Sequence, residues 1–311
     1  MHYLQSYKTA VVVNPASANG TTIKRWDSLA AAFKDEGLDF VHAFTERPNH
    51  ATELTRSFLE QGYNLIISVG GDGTANEVVN GFFVDGKATN QGAAVSFIST
   101  GTGRDLSRTI GMPADFTDAV RHIMKASIRP IDVGKVSFIN YLGAKDIRCF
   151  INIADLGLGG DTVARVNRTS KALGGFVSFL WGTLVSLFLY KNQKMTIIVD
   201  GETVCNEPIT VVVAGNGRFF GGGMCVAPNA VIDDGYFDII ILRDLSKIDL
   251  LMNLPKVYSG THLGHPRISS MRGRIIEIVS GESALLDIDG EQPGHAPVTI
   301  ELLPGAINLK G

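Results

Sequence analysis

A short apolar run that ends in three closely spaced glycines constrains the fold of this chain more than any other feature. Residues 64–69 (NLIISV) have the length and composition of a buried strand, and a helical pattern occupies residues 75–83. Between them lies the turn Gly70–Thr74 (GGDGT). A buried strand that passes through a tight turn into a helix is typical of a parallel sheet covered by helices. The turn therefore predicts an α/β fold for this part of the chain.

The same alternation runs through the first 130 residues. Short apolar runs predict further strands, and 3.6-residue periodicity predicts helices between them. The predicted strands are 9–14, 38–44 and 93–98, and the predicted helices lie around 23–33, 50–61, 104–110 and 115–126. We therefore predict that residues 1–132 form a nucleotide-binding α/β domain with a mostly parallel sheet.

The pattern changes after Asp132, where strand-like runs follow one another. They occupy residues 133–141, 147–154, 195–199, 210–214, 236–242, 274–279, 284–288 and 298–303, with helical stretches around 160–190 and 246–260. This predicts a mainly antiparallel β-sandwich with a few helices over residues 133–296, and residues 297–311 are expected to return to the first domain. Since no long polar linker separates the halves, we expect a ligand cleft between closely apposed domains.

Composition excludes several functional classes. Charged residues make up 19% of the chain and the net charge is −3, so no basic excess indicates nucleic-acid binding. The three cysteines, Cys149, Cys205 and Cys225, match no CxxC pattern and are expected in the core of a protein from a reducing compartment. The apolar run at residues 9–13 is too short for a signal peptide, and we expect a cytoplasmic location.

One stretch raises the question of a membrane. Residues 172–190 (ALGGFVSFLWGTLVSLFLY) contain no charge over nineteen positions, which is within the length of a membrane span. Several glycine, serine and threonine residues lower its hydrophobicity. A buried or cleft-lining helix, a helix that touches the bilayer surface and a true span all remain open, and the first is favoured.

The turn Gly70–Thr74 has the properties of a phosphate site. Glycine lets the backbone approach a ligand closely, and the N-terminus of the following helix presents unpaired N–H groups with a partial positive charge. Asp72 would repel phosphate unless Mg²⁺ lay between them, so we interpret Asp72 as linked to a metal, directly or through water. The alternative is a tight turn in which Asp72 or Thr74 caps the helix. Neither GxGxxG nor GxxxxGK[ST] occurs there, which argues against dinucleotide and P-loop sites.

A second glycine loop, residues 99–105 (STGTGRD), follows the next predicted strand and opens another helix. Because neighbouring parallel strands end at the same edge of the sheet, both loops should face one crevice. Asn14, at the end of the first strand, adds a polar group at that edge. The alternative for Asp105 is a cap of its own helix.

These motifs resemble the signature of diacylglycerol-kinase-like lipid kinases, which include soluble bacterial diacylglycerol kinases and sphingosine kinases. The resemblance spans nearly the whole chain. Ser99 and Arg104 depart from it, since proline and asparagine are usual there, and Arg104 would add a phosphate contact or alter ATP geometry. Asp132 matches a family aspartate that links the cleft and the metal, or else is a solvated strand end. The resemblance and the loops together predict that ATP is bound by Asn14, Thr45, Gly70, Gly71, Asp72, Gly73, Thr74, Glu77, Gly101, Thr102, Gly103, Asp105 and Asp132.

The second half carries two further elements of the resemblance. Residues matching Val231, Asp234 and Tyr236 hold a structural Mg²⁺ in soluble bacterial members, partly through backbone carbonyls, although such a segment alone reads as a turn. Asp289, in the family's D-G-E element, would be the general base. Glu291 would orient it or hold a second Mg²⁺. The plain alternative is a hairpin turn, and strand alternation would place Asp287 and Asp289 on one face.

Together these features predict a phosphotransferase of phospholipid biosynthesis that uses ATP and Mg²⁺ to phosphorylate a hydroxyl of a membrane lipid. Diacylglycerol is the first candidate, with undecaprenol, phosphatidylglycerol and sphingoid bases behind it. We expect peripheral contact with the membrane surface, and family resemblance suggests a homodimer. The competing hypotheses are a kinase of a soluble substrate similar to NAD kinases, a non-enzymatic regulator that binds ATP or lipid, and an oxidoreductase.

Overall fold

A computed structural model describes residues 7–168, 182 and 185–311, with the side chains of residues 166–168 left out. The chain forms two compact units, one of residues 1–131 with 305–311 and the other of residues 132–304. Most of the apolar stretch at residues 172–190 lies outside the described residues. In the described part, no helix has both the length and the apolar character needed to cross a membrane.

The first unit contains a parallel sheet with helices between its strands. In chain order its elements are β1 Thr9–Val13, α1 Ser17–Asp35, β2 Phe40–Phe44, α2 His50–Glu60, β3 Leu65–Gly70, α3 Asp72–Gly81, β4 Phe83–Val84, β5 Lys87–Ala88, β6 Ala94–Ser99, α4 Asp105–Ile110 and α5 Phe116–Lys125. The sheet order is β2-β1-β3-β6, and residues 308 and 309 add a further parallel pairing along β6.

The parallel sheet is covered on both faces. Every residue of β1 and β3 is buried, and α1 packs with α5 while α2 packs with α3. Uniformly apolar strands of this kind are expected only where helices exclude water from both sides. The predicted α/β class is therefore confirmed for this unit.

The second unit is built from antiparallel strands. Its elements are β7 Ile128–Asn140, β8 Lys145–Phe150, β9 Ile153–Gly157, α6 Leu158–Arg168, β10 Gln193–Val199, β11 Glu202–Gly215, β12 Phe237–Arg243, α7 Lys247–Ser259, a 3-10 turn His262–Gly264, β13 Ile268–Gly273, β14 Ile275–Ser280, β15 Leu285–Ile288 and β16 Glu291–Lys310. β7 begins in the first unit and β16 ends there. The pairings include β10 with β11 and β14, β11 with β9 and β12, and β15 with β9 and β16.

Two apolar layers stabilise this unit. The larger cluster lies on one face of the strands and includes Phe138, Phe150 and Phe237. The rings of Phe150 and Phe237 stack with their centroids 5.7 Å apart. The opposite face of β11 and β12, through residues such as Val213 and Ile240, packs in a second cluster beneath α7. This arrangement confirms the predicted sandwich, in which alternate residues of a strand serve opposite faces.

The structure corrects several predicted elements. The run 147–154, expected to be one strand, is two strands separated by Ile151 and Asn152, because the N–H groups of these residues turn toward a side chain instead of a ladder. β13 was not predicted, since its sequence ISSMRG carries little apolar alternation. β16 extends far beyond the predicted 298–303, and α3 begins at Asp72, three residues earlier than its apolar pattern.

Candidate functional site

The first glycine turn passes directly from β3 into α3. Gly71 is the extended N-cap residue of α3, and within residues 7–168 no side chain caps that helix. Its first N–H groups therefore keep the capacity to bind an anion. Gly70 is required by packing, because a Cβ there would lie 2.5 Å from Thr74 Oγ1 and 2.6 Å from Thr74 Cβ. The backbone and the threonine are thus folded tightly onto each other.

The second glycine loop lies directly against the first. A Cβ on Gly101 would be 3.2 Å from the Cα of Gly71, and the Thr100 N–H donates to the Gly70 carbonyl at 2.8 Å. The two loops are joined because β3 and β6 are parallel neighbours that end at the same edge. Their backbones form one continuous surface at the carboxyl end of the sheet.

The segment after β1 completes this edge. Asn14 Nδ2 donates to Thr74 Oγ1 at 2.9 Å, while the Asn14 carbonyl oxygen Oδ1 accepts from the Ala16 N–H at 3.1 Å. Thr100 Oγ1 contacts Thr22 Oγ1 at 2.7 Å and donates to Ser17 Oγ at 3.3 Å. Three loop segments are therefore joined by hydroxyl and amide side chains, all of which are suitable partners for phosphate oxygens.

Asp72 lies beside the second loop. Its carboxylate accepts long hydrogen bonds from the N–H groups of Asp105 at 3.5 Å and Leu106 at 3.4 Å. Burial raises the pKa of Asp72, and those N–H groups together with the nearby Arg108 charge act in the opposite direction. A carboxylate that is desolvated but weakly hydrogen-bonded has the chemistry of a divalent-cation ligand, so the residues present fit the predicted Mg²⁺.

The start of α4 is held by two charged residues. Arg108 Nη1 donates to Asp105 Oδ1 at 2.9 Å and also contacts the Gly103 carbonyl. Asp105 is buried and ion-paired within α4, whose N-cap residue is Arg104, so the predicted nucleotide contact of Asp105 stays a prediction. Sequence reasoning missed Arg108, for which the signal was a basic residue one helical turn after the second glycine loop.

Arg104 does not point its charge into the loops. It adopts a left-handed conformation (φ 56°) as the N-cap residue of α4, and its Nη2 donates to the Pro113 carbonyl at 3.0 Å. Asparagine tolerates this conformation better than most residues, which explains why asparagine suits the position. Neither expected effect of Arg104, a phosphate contact or an altered ATP geometry, is visible in its contacts.

Glu77 of α3 reaches the start of α2, and Thr45 follows β2 beside the end of β1. Both oxygens of Glu77 accept backbone hydrogen bonds, from Asn49 at 2.9 Å and Ala51 at 3.1 Å. The Thr45 N–H donates to the Val13 carbonyl at 2.8 Å. In this structure Glu77 caps α2, and its predicted contact with the nucleotide, like that of Thr45, stays a prediction.

In the second unit, Asp289 and Gly290 form a two-residue turn between β15 and β16. Both have positive φ (49° and 88°), and Ile288 pairs with Glu291 across the turn. Asp-Gly is favoured in such turns because both positions are left-handed. Asp289 and Gly290 therefore form the hairpin turn of the alternative interpretation. Strand alternation ends at Ile288, so it does not place Asp287 and Asp289 on one face as predicted.

The Asp289 side chain is nevertheless held in a specific direction. It is partly exposed, and its carboxylate accepts hydrogen bonds from three successive backbone N–H groups, those of Ile151 (3.0 Å), Asn152 (3.1 Å) and Ile153 (2.9 Å). The Asp289 N–H returns a bond to the Ile153 carbonyl at 2.9 Å. Glu291, the first residue of β16, is exposed. Three N–H donors favour the ionised carboxylate and preorganise it as an acceptor.

The segment predicted to hold a structural metal is bound by arginine. Asp234 Oδ1 accepts from the Tyr236 N–H at 3.1 Å, while Oδ2 forms an ion pair with Arg272. Arg272 and Arg274 lie over the Tyr236 ring, with their guanidinium carbons 4.6 and 4.5 Å from its centroid. Arg272 neutralises the charge of Asp234 here, and the predicted Mg²⁺ at Val231, Asp234 and Tyr236 stays a prediction.

Val231 and Asp132 lie near the same segment. Val231 is exposed, and the buried Asp132 accepts the Gly235 N–H through Oδ2 at 2.7 Å. Asp132 thereby orders the turn before β12. No three His, Cys, Asp or Glu side chains converge as a metal site within the described ranges, so any metal in this segment would depend on backbone carbonyls.

The geometry of the first unit yields a direct test. We expect Gly70→Ala to displace Thr74 and break its hydrogen bond from Asn14, because the added Cβ overlaps the threonine side chain. Overpacking of this kind costs about 1–3 kcal/mol, so the KM for ATP should rise roughly tenfold. Gly92→Ala is the matched control, since its Cβ would meet only an ordinary contact at 3.7 Å. Equal KM values and melting temperatures for the two variants would contradict the packing argument.

Two family models match the chain in sequence. Residues 8–136 match the diacylglycerol kinase catalytic domain. Residues 154–311 match the YegS C-terminal NAD kinase beta sandwich-like domain. The two matches cover the α/β part and the sandwich part, respectively.

Curated relatives align over nearly the full length. A diacylglycerol kinase of Staphylococcus carnosus is 28% identical over 307 residues, covering 97% of this chain and 92% of the relative. A protein of Chromohalobacter salexigens, named "Probable lipid kinase YegS-like", is 31% identical over 309 residues, with the same coverage of 97% and 92%.

Solved structures share the fold. A diacylglycerol kinase from Bacillus anthracis is similar with a TM-score of 0.71 at 23% identity, covering 98% of this chain and 97% of that one. Yeast NADH kinase is similar with a TM-score of 0.52 at 12% identity, covering 99% of this chain and 84% of that one. At these identities the likeness supports the fold alone.

Proposed function

Since this chain belongs to the diacylglycerol kinase family, whose catalytic-domain model and YegS-type C-terminal model it matches, we propose that it transfers the γ-phosphate of ATP to a hydroxyl of diacylglycerol, giving phosphatidic acid. The chain is a lipid kinase by family. The choice of diacylglycerol rests on relatives that are named for this substrate, such as the diacylglycerol kinase of Staphylococcus carnosus. The catalytic roles below are inferred from this chain's own residues.

One observation carries the proposal, namely the close approach of the two glycine loops beside the uncapped α3 N-terminus. Gly71 and Gly101 leave their backbones accessible without side chains, and Thr74 and Thr100 add hydroxyl groups. Phosphate is bound well by such a combination of N–H groups, a helix dipole and hydroxyls. We assign the triphosphate of ATP to this surface.

Asp72 would bind Mg²⁺ beside the phosphates. Its weak hydrogen bonds to the α4 backbone leave it able to bind a cation directly or through water. Mg²⁺ bound there would offset negative charge on the phosphates as it develops during transfer. Arg108, which is close enough to influence Asp72, adds a fixed positive charge at the same edge.

Asp289 would act as the general base. A lipid alcohol is a weak nucleophile, and a positioned carboxylate increases its reactivity by accepting its proton. The hydroxyl oxygen forms a bond to the γ-phosphorus, the bond from that phosphorus to the β–γ bridging oxygen breaks, and ADP leaves. The proton from the hydroxyl passes to Asp289. The three N–H groups of residues 151–153 fix the direction of the acceptor before substrate binds.

A panel of acceptors tests the substrate. The wild-type protein is incubated with γ-labelled ATP and mixed micelles of diacylglycerol, undecaprenol, phosphatidylglycerol or sphingosine, and with NAD in parallel. We expect label in phosphatidic acid at a rate at least roughly tenfold above the other acceptors. Label in NAD would support the soluble-substrate hypothesis that the NADH kinase fold keeps open. ATP binding without transfer to any acceptor would support a regulator.

Peripheral membrane contact is a further part of the proposal. Ile248 and Met252, one turn apart on α7, are 69% and 71% exposed, and Phe188 and Leu189 are 54% and 57% exposed. Lys247 contacts the Phe188 carbonyl, so the start of α7 lies beside the segment that carries Phe188 and Leu189. Exposed apolar side chains beside lysines favour a bilayer that contains anionic lipid. A homodimer remains an expectation from the family resemblance, to be tested by the mass of the protein in solution.

The membrane patch gives a specific prediction. We expect Met252→Glu to lower activity toward diacylglycerol in anionic vesicles by roughly tenfold, since one buried apolar side chain contributes about 1.5–3 kcal/mol. Activity in detergent micelles should be unchanged. Leu142→Glu, at a 92% exposed position in the turn between β7 and β8, is the matched control. Equal losses in vesicles and micelles would indicate a folding defect and contradict the patch.

A further inference from the structure

Two carboxyl groups are buried against each other beneath the Asp289 turn. Asp155 of β9 and Asp287 of β15 are directly paired across the two antiparallel strands, with 0% and 1% of their surface exposed. Directly opposed residues place their side chains on the same face with short Cβ separations. Neither oxygen of Asp155 has a hydrogen-bond partner among the described residues, so a proton on one of the two opposed carboxyls would let Asp287 donate to Asp155 and satisfy it.

Among the described residues, the charged groups that act most strongly on Asp287 are acidic, namely Asp155 and Asp289. The charges that act on the nearby Tyr190 are also acidic and come from Asp161, Asp155 and Glu282. Two ionised carboxylates in this environment would repel each other without the screening that water provides.

Burial raises the pKa of both carboxyls, to about 7 for Asp155, and for Asp287 the charges of Asp155 and Asp289 add to that effect. A proton held by Asp287 would be donated to Asp155, whose oxygens have no other hydrogen-bond partner among the described residues.

Asp287 also contacts the turn that carries the proposed base. Its Oδ1 accepts the Gly290 N–H at 2.9 Å. A protonated Asp287 thus uses one oxygen as acceptor for the turn and the other as donor to Asp155. On the opposite strand, Ile153 exchanges two hydrogen bonds with Asp289, from Ile153 N to Oδ1 and from Asp289 N to the Ile153 carbonyl, both at 2.9 Å. The turn is consequently fixed from both sides.

We propose that Asp287 is a positioning residue whose protonated carboxyl, anchored on Asp155, fixes the Asp289–Gly290 turn and with it the direction of the Asp289 carboxylate. This inference rests on the proposed function, since it assigns the purpose of the turn to the base. Neither carboxyl of the pair touches substrate. Their effect on transfer is exerted through the position of Asp289.

Two substitutions separate the positioning role from bulk packing. Asp287→Asn keeps an oxygen for the Gly290 N–H and an NH₂ donor for Asp155, whereas Asp287→Leu has similar size and neither group. We expect Asp287→Asn to retain kcat within about threefold of wild type. We expect Asp287→Leu to lower kcat by roughly tenfold or more, because small displacements of catalytic groups are costly, with little change in the KM for ATP. Glu277→Gln, an exposed carboxylate on β14, is the control.

The protonation state has readouts that do not require turnover. A carboxyl whose pKa is raised in the folded state binds more protons there than in the unfolded chain, where it titrates near 4. Its contribution to stability is therefore complete below about pH 4 and is lost as pH rises toward the raised pKa. The melting temperature of wild type should fall relative to Asp287→Asn between pH 5 and pH 8. The infrared band of a protonated carboxylic acid should also be present in wild type and reduced in the variant.

Several outcomes would overturn the inference. A folded Asp287→Leu protein with wild-type kcat would show that the turn needs no anchor, and an Asp287→Asn protein as impaired as Asp287→Leu would exclude the protonated donor. A wild-type melting temperature that rises with added Na⁺, K⁺ or Mg²⁺, but not in Asp287→Asn, would place a cation between the carboxyls instead. If wild type transfers phosphate to no lipid, the proposed function fails, while the pH and infrared readouts still decide whether the pair shares a proton.

Discussion

Asp289→Asn is expected to lower kcat for lipid phosphorylation by roughly 10²- to 10⁴-fold, the usual contribution of a general base. The asparagine oxygen can keep the bonds from the N–H groups of Asn152 and Ile153, but its NH₂ group would face the Ile151 N–H. The amide cannot accept the hydroxyl proton. We therefore expect a loss in the chemical step while the KM for ATP, which we assign to residues of the first unit, changes little.

The design must separate this loss from damage to the turn. One unmatched N–H group costs about 1–3 kcal/mol of stability, so the melting temperature of Asp289→Asn is measured beside its kinetics. Asp146→Asn, a carboxylate of the same unit on β8, controls for loss of charge. A folded Asp289→Asn protein that turns over within a few-fold of wild type would rule out Asp289 as the base.

The second large effect is expected at Asp72. Asp72→Asn preserves size and an acceptor for the Leu106 N–H but removes the charge that would bind Mg²⁺. We expect kcat with ATP to fall by roughly 10²-fold or more and the Mg²⁺ concentration for half-maximal activity to rise, since metal and electrostatic stabilisation of transferring phosphate usually contribute several kcal/mol.

The same substitution should raise stability in the absence of ATP and Mg²⁺. Burial raises the pKa of Asp72 in the folded state, so the ionised side chain opposes folding as pH rises above the ordinary carboxyl range. A higher melting temperature with lower activity is typical of a residue retained for function. Asp39→Asn, an exposed carboxylate of the same unit, should change neither property. An unaltered Mg²⁺ dependence of Asp72→Asn would exclude Asp72 as the metal-linked residue.

Sequence reasoning predicted the elements whose signal is local. β1 and β3 are mostly apolar, Pro15 closely follows β1 and β3 ends at Gly70, so their burial in a parallel sheet follows from composition and length. The Asp-Gly pair at 289–290 likewise predicts a tight turn, because only a few residues accept two successive left-handed conformations. Local signals of this kind need no knowledge of partners.

Features that depend on strand register could not be predicted in the same way. The pairing of Asp155 with Asp287 joins residues far apart in sequence, and a shift of one residue would place each on the opposite face. The interruption between β8 and β9 arises because the Asp289 carboxylate takes the N–H groups of Ile151 and Asn152. Before the hairpin was placed, nothing in the run 147–154 indicated a break.

Side-chain contacts between elements of the first unit could not be predicted from the sequence either. The cap that Glu77 forms on α2 was not predicted, because it depends on the packing of α2 on α3, which brings the Asn49 and Ala51 N–H groups to its carboxylate. Arg108 joins the second glycine loop through one turn of a short helix, whose six residues give too little periodicity to orient a side chain from sequence. Both contacts depend on the relative placement of elements, which hydrophobic patterns do not encode.

The most direct test of the central claim is the fate of the γ-phosphate. Wild-type protein, γ-labelled ATP, Mg²⁺ and micellar diacylglycerol are combined, and labelled lipid and ADP are measured together, with Asp289→Asn and Asp72→Asn in parallel. The account predicts one labelled phosphatidic acid for each ADP formed by wild type, and a loss of roughly 10²-fold or more in both variants. ADP formation without labelled lipid, or undiminished lipid labelling by both variants, would contradict it.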